Sequence, residues 1–314
     1  MTAARALVPA EARAGGKLIL LGEHAVVHGQ PAIALGLPAG IRVAISPRHD
    51  GSRTVHGRAP TDERLARAID VASESLGIAR AQGWDVAIVG DLPDAVGLGS
   101  SASLSVALAK ALEGDDGLEA CPERVAEAAH AVEGAFHGTP SGVDVTTVLD
   151  GGLGWYEVGP PRHWEPIVPA VALELVVVVA DRRHDTGRTV GSLRARATTR
   201  PGLYRPVFEA IGGLVREARD AIEQGDLPRL GEAMTLDHGL LRTCGVSTAV
   251  LDAAVDEAVR AGALGAKLTG GGGGGAIVAL AAGDASVLAR VLDRPDRPAF
   301  AVRFPETGSC TSEG

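Results

Sequence analysis

Lysine is nearly missing from this chain: of 30 basic residues only three, Lys17, Lys110 and Lys267, are lysines. None of them follows a glycine and precedes Ser or Thr, so the Walker phosphate loop G-x-x-x-x-G-K-[ST] is absent. Aromatic residues make up 3 %, and 39 acidic side chains against the 30 basic ones leave a net charge of −9 with no basic run. Such a chain is a poor partner for nucleic acid or for an anionic membrane, though a locally positive pocket can still take an anionic small molecule. No apolar run approaches bilayer length; the longest, near 173–180 and 276–282, are the length of strands. Glu11 and Arg13 interrupt the N-terminal stretch where a signal peptide would need its apolar segment. The three cysteines, Cys121, Cys244 and Cys310, are odd in number and far apart, which gives neither a disulfide framework nor zinc spacing. A reduced, cytoplasmic protein is expected.

What is present is enough for about two domains: 314 residues, 46 % hydrophobic and 22 % charged. Alternation marks strands at 41–45 and 84–89, and short apolar runs mark others at 17–21, 173–179, 276–280 and 299–304. Helical spacing covers 62–76, 101–113 (stopped by Gly114) and 122–138, with Pro122 at a first helical position. Further helices are expected near 188–198, 203–224, 227–242, 247–261 and 284–293. The Gly151–Gly154 cluster and the prolines at 160, 161, 166 and 169 suggest a boundary, so the reading divides the chain into 1–165 and 166–314, both α+β.

Four segments carry chemistry. The first is Ala95-Val96-Gly97-Leu98-Gly99-Ser100-Ser101, a glycine turn opening into a helix. Glycines let the backbone approach a ligand, and a helix start offers unpaired N–H groups and a positive dipole end, together a phosphate cradle. Ser100 and Ser101 could cap the helix, bind phosphate or ligate Mg²⁺. The segment also satisfies G-x-G-x-x-A, but seven residues separate the strand at 84–89 from Gly97, and Asp115 and Asp116 sit in a polar turn, so a dinucleotide site is not expected. The second segment runs from Lys17 to Pro31, where a strand delivers Gly22, Glu23 and His24 at its exit and His28 soon after. Its glycines do not favour a helix and no third ligand is evident, which argues against zinc. The third is Glu133 followed by the Gly/Pro/Ser-rich stretch His137–Asp144. Glu133 reads either as a solvated helix residue or as a partner to Asp144, the one on Mg²⁺ and the other facing a substrate hydroxyl. The fourth is Lys267–Gly275, with six consecutive glycines. A linker is the simplest reading, but apolar strand-like residues flank it closely, which favours a loop, with Gly271, Gly272 and Gly273 at its centre, lining a ligand cleft.

These four segments, in this order, resemble the GHMP kinase superfamily, and most closely its mevalonate kinases. The stretch 22–34 resembles the first motif, 93–103 the ATP loop, 137–144 the region of the catalytic aspartate, and 267–275 the third motif, usually written KLTGAGGGG. The resemblance implies a two-domain α+β fold with an N-terminal ATP-binding domain and a ferredoxin-like C-terminal domain. It implies ATP-dependent phosphorylation of the C5 hydroxyl of mevalonate, with Mg²⁺ as cofactor, and leaves room for a homodimer. By motif position, Ser101 and Glu133 would bind Mg²⁺, Asp144 would be the base and Lys17 would stabilise charge, while Glu23, His24 and Thr186 would lie beside the substrate. The chain also departs from the pattern. Gly15 stands where many members have proline, Ala95 replaces a glycine, and His184 occupies the place of an arginine thought to hold the substrate carboxylate, a role open to Arg182 or Arg183. The rival readings are another hydroxy-acid kinase, such as a phosphomevalonate kinase, and a catalytically silent nucleotide-binding member. Scarce lysine argues against a phosphorylated substrate, and intact Lys17, Ser101, Glu133 and Asp144 argue against silence.

Overall fold

The computed structural model describes residues 7–58, 63–78, 83–92, 97–114, 121–137, 140–159, 163–181 and 186–305. By packing, the chain forms two compact units, one of Met1–Lys17, Gly36–Leu92 and Gly99–Gly151, the other of Leu18–Leu35, Pro93–Leu98 and Gly152–Gly314. They interleave along the sequence, whereas the sequence reading divides the chain once. Strands β1 (Ala10–Leu21) and β2 (Ala32–Arg48) each contribute to both.

In the first unit the later part of β2 pairs antiparallel with β4 (Gly83–Gly90), and β3 (Arg53–Val55) runs parallel to β4. Val43 and Ile45 on β2, and Trp84 and Val86 on β4, are buried while their neighbours are less so, which is the period-two signature of a half-covered sheet. Four helices share that core: α1 (Glu63–Ser75), α2 (Ser100–Glu113), α3 (Pro122–His137) and α4 (Val143–Asp150). Helix α1 buries the stripe Ala68, Ile69 and Ala72. Helix α2 is buried almost all round, and its alanines allow close neighbours on several sides, with Val106 and Leu108 fully enclosed. Each such side chain contributes roughly 1.5–3 kcal/mol of hydrophobic stabilisation.

In the second unit the first residues of β2, Ala32–Leu35, pair with β5 (Leu153–Glu157), which pairs in turn with β6 (His163–Pro166). A separate antiparallel sheet contains β7 (Leu173–Asp181), β8 (Ala263–Thr269), β9 (Gly275–Ala281) and β10 (Ala299–Phe304), in the order β10-β7-β9-β8. Helices α5 (Thr186–Thr199), α6 (Pro201–Gln224), α7 (Leu227–Thr243) and α8 (Ala249–Arg260) separate β7 from β8, and α9 (Ala285–Leu292) separates β9 from β10. This is the ferredoxin-like arrangement, two split β-α-β units. β9 is buried at every residue, so side chains on both of its faces are covered. Helix α7 lies close on β8: a Cβ on Gly231 would stand 2.4 Å from the Leu264 carbonyl oxygen. No helix among the described residues is long and apolar enough to cross a membrane.

Candidate active site

The first unit brings together Lys17, Ser101, Glu133 and Asp144, which lie on β1, α2, α3 and α4. Gly99 caps α2 at φ 84°, and no serine side chain takes the capping role. A Cβ on Gly99 would meet Lys17 Cγ at 2.7 Å, so this turn needs glycine both for its conformation and for room beside the lysine. Asp144 stands in the first turn of α4, behind Gly142 at φ 86°; the sequence reading leaves the residue in a loop, because eight residues after a proline-glycine stretch show too little periodicity. Lys17 is almost completely buried, and its Nζ lies 2.9 Å from Asp144 Oδ1. Burying an ammonium costs several kcal/mol unless a partner compensates; this pair supplies one.

Ser101 Oγ donates to Glu133 Oε1 at 3.0 Å, and the Ser105 hydroxyl is shared between the Ser101 carbonyl at 2.8 Å and Glu133 Oε2 at 3.2 Å. Burial, reinforced by the Asp144 charge, pushes the Glu133 carboxyl above its ordinary range; His137 and the two serines oppose the shift. Ser105 and His137 were not singled out from sequence, although His137 follows Glu133 by four residues, the spacing of neighbours on a helix face. Among the described residues no group of three or more His, Cys, Asp or Glu could hold a metal. The donor set here, one carboxylate and one hydroxyl, suits Mg²⁺, which keeps several waters and takes its remaining oxygens from phosphate.

The second unit gathers another group. Lys267 on β8 is fully buried between two acids, with its Nζ 2.5 Å from Glu23 Oε1 and 3.4 Å from Asp237 Oδ2 on α7. It also donates to the Leu268 carbonyl at 2.7 Å. Burial pushes the Asp237 carboxyl up to about 7, with Glu23 adding to the shift and Lys267 opposing it. Asp237 carries no sequence signal, being a single acid within a helix. His24 adopts φ 62°, a strained region for a side-chain-bearing residue. Burial lowers its pKa to about 4, so the ring is neutral near pH 7. His24 is also hydrogen-bonded to the Gly271 backbone, and its Nε2 has no hydrogen-bond partner among the described residues. His28 instead stacks on Phe208, with ring centroids 4.1 Å apart.

Five of the six glycines, 270–274, connect β8 to β9 within one folded sheet and Gly275 opens β9, so the run is a loop rather than a linker. Gly273 N donates to the Val246 carbonyl at 2.8 Å, and a Cβ on Gly272 would clash with the same oxygen. Gly97 backs onto Thr269 and Gly270 at close range, and Leu98 is buried. Thr186 begins α5. Ala95, Val96, Arg182, Arg183 and His184 lie outside the described residues.

Two family models match the chain: the GHMP kinases N-terminal domain over residues 63–152 and the GHMP kinases C-terminal model over residues 218–297. The chain is 37 % identical over 302 residues to a mevalonate kinase of Pyrococcus horikoshii, covering 87 % of this chain and 88 % of the relative. It is 33 % identical to that of Methanothermobacter thermautotrophicus, covering 90 % and 94 %. The fold matches the crystal structure of L. major mevalonate kinase in complex with R-mevalonate with a TM-score of 0.77 and 33 % identity, over 90 % of this chain and 89 % of that one. By these similarities the chain belongs to the GHMP kinases, in the mevalonate kinase family.

Proposed function

We propose that the chain transfers the γ-phosphoryl group of ATP to the C5 hydroxyl of mevalonate, giving 5-phosphomevalonate and ADP. The observation that carries this reading is the buried Lys17–Asp144 pair, set beside Ser101 and Glu133. With Lys17 on Asp144 Oδ1, the carboxylate is held in one orientation and its other oxygen is left to accept the hydroxyl proton. As the substrate oxygen forms its bond to phosphorus, the bond to the ADP oxygen breaks and ADP leaves with that electron pair. The Lys17 ammonium sits against the negative charge that gathers on the transferring group. The N–H groups at the start of α2 suit the phosphates, since no side chain caps them. Ser101 and Glu133 would hold Mg²⁺, whose chemistry there is to neutralise phosphate charge.

The test is a coupled ADP-release assay with mevalonate, phosphomevalonate, homoserine and galactose as acceptors. Mevalonate alone should support turnover. Asp144→Asn should cut that turnover by about 10²-fold or more, with nucleotide binding retained. Near-normal turnover by the folded variant would remove Asp144 from the role of base.

A further inference from the structure

The two oxygens assigned to the cation are hydrogen-bonded to each other. Ser101 Oγ donates its proton to Glu133 Oε1 at 3.0 Å, while the Ser105 hydroxyl has its shorter bond to the Ser101 carbonyl at 2.8 Å and lies 3.2 Å from Glu133 Oε2. A cation bound by Ser101 Oγ and Glu133 Oε1 would repel a proton lying between them, so the Ser101 hydroxyl would need another acceptor. One ring nitrogen stands in place: His137 Nε2, at the last turn of α3, is 3.1 Å from Ser101 Oγ and 3.4 Å from Glu133 Oε1.

We propose that His137 is a positioning residue for the divalent cation: its Nε2 accepts the Ser101 hydroxyl proton, which frees the Ser101 and Glu133 oxygens to face the metal together. In this role Nε2 is the acceptor and Nδ1 carries the ring hydrogen, the division of one acceptor and one donor nitrogen that an imidazole offers. The side chain is half-exposed, so water can carry the ring hydrogen between its nitrogens. This inference rests on the cation assignment made above. The competing view treats His137 as the i, i+4 partner of Glu133, donating to its carboxylate at a helix C-terminus. The two views differ in sign. A histidine bonded to Glu133 competes with a cation, so its removal would tighten metal binding; an acceptor for Ser101 helps the cation, so its removal would weaken it.

The experiment uses Mn²⁺ as probe, with free Mn²⁺ followed by electron paramagnetic resonance, on the full chain with a non-hydrolysable ATP analogue. Three variants are compared with the unaltered chain: His137→Phe, which keeps the ring shape without an acceptor, His137→Ala, and His137→Gln, whose amide oxygen can take the place of Nε2. Phe and Ala should raise the Mn²⁺ Kd about tenfold or more, the usual effect of losing a hydrogen-bond partner of a metal ligand. Gln should restore most of the affinity, while melting temperature and metal-free nucleotide affinity stay as they were. An unchanged or lower Kd in the Phe and Ala variants overturns the proposal, as does a Gln variant as weak as Phe. Ser101→Ala and Glu133→Gln are titrated in parallel. If neither weakens Mn²⁺ binding, the cation assignment falls and this inference with it; if both weaken it while His137→Phe does not, only the inference falls.

Discussion

At the scale of residues, both units solve the same problem, a buried ammonium, in different ways. Lys17 has one carboxylate partner, Asp144, which is itself partly exposed. Lys267 has two, Glu23 and Asp237, and all three groups are enclosed. Two acids on one base leave one negative charge too many for a dry site, and holding a proton on Asp237 relieves it; this is why burial and Glu23 outweigh Lys267 in raising that group to about 7. The consequence for stability has a definite sign. The unfolded chain gives up the Asp237 proton near the ordinary aspartate value, whereas the folded chain keeps it to about 7. Folding stability is therefore lost as pH rises through that window, and the loss is complete above it. Asp237→Asn removes this dependence. Thermal unfolding at pH 5, 6, 7 and 8 should show the melting temperature of the variant, relative to the unaltered chain, climbing from pH 5 to about 7 and levelling off above it. A constant difference across the series would mean that Asp237 does not hold the extra proton.

Elements position these residues through glycine as much as through side chains. Helix α2 can begin beside Lys17 only because Gly99 takes a left-handed turn and presents no Cβ to the lysine stem. Gly99→Ala meets both obstacles: about 1 kcal/mol for the left-handed conformation, and a 2.7 Å contact that Lys17 Cγ must yield to. It should lower the melting temperature and reduce turnover together, since Lys17 moves with its stem. Gly134→Ala is the control. It lies inside α3 next to Glu133, and a Cβ there meets nothing within 4 Å, so it should stabilise the chain by about 0.5–1 kcal/mol through helix propensity. Equal melting temperatures for the two variants would show that the α2 turn is not constrained as described. Helix α4 is among the elements the sequence does not display, and the placement of Asp144 goes with it. Glycines flank it at 142 and 151 and its buried residues form a nearly continuous run, so no helical period stands out. Strand β8 is legible only as strand-like residues beside the glycine run, without bounds: Ala263–Thr269 is buried at almost every residue and so lacks alternation.

For the whole molecule, membership of the mevalonate kinase family makes a prediction about ligand-linked stability. A ligand that binds only the folded chain stabilises it by about 2.7 kcal/mol at one hundred times its Kd. Mg·ATP and mevalonate should each raise the melting temperature. A shift with nucleotide but none with mevalonate, combined with no ADP release, would identify a nucleotide-binding member without this activity. Chelation with EDTA should shrink the nucleotide shift, because the ATP phosphates then lose the cation assigned to Ser101 and Glu133.

The amino-acid sequence by itself determined the family and most of the elements. The Gly97–Ser101 turn, the Glu23-His24 strand exit, the Ser-Gly-Val-Asp stretch and the glycine run are local patterns, each held within a dozen residues, and local backbone preference is what a sequence displays directly. The long helices α6, α7 and α8 and the alternating strands β2 and β4 were legible for the same reason. Tertiary structure alone decided which distant residues meet. Lys17 and Asp144 stand 127 positions apart in number and 2.9 Å apart in space, and Glu23 reaches Lys267 across 244 positions. Nothing in the spacing of those residues encodes the encounter, because it depends on how sheets and helices stack. Burial is decided there too, and with it the electrostatics: Asp237 is an unremarked acid in the sequence, and it holds its proton to about 7 only because β8 and α7 enclose it with a lysine and a second carboxylate.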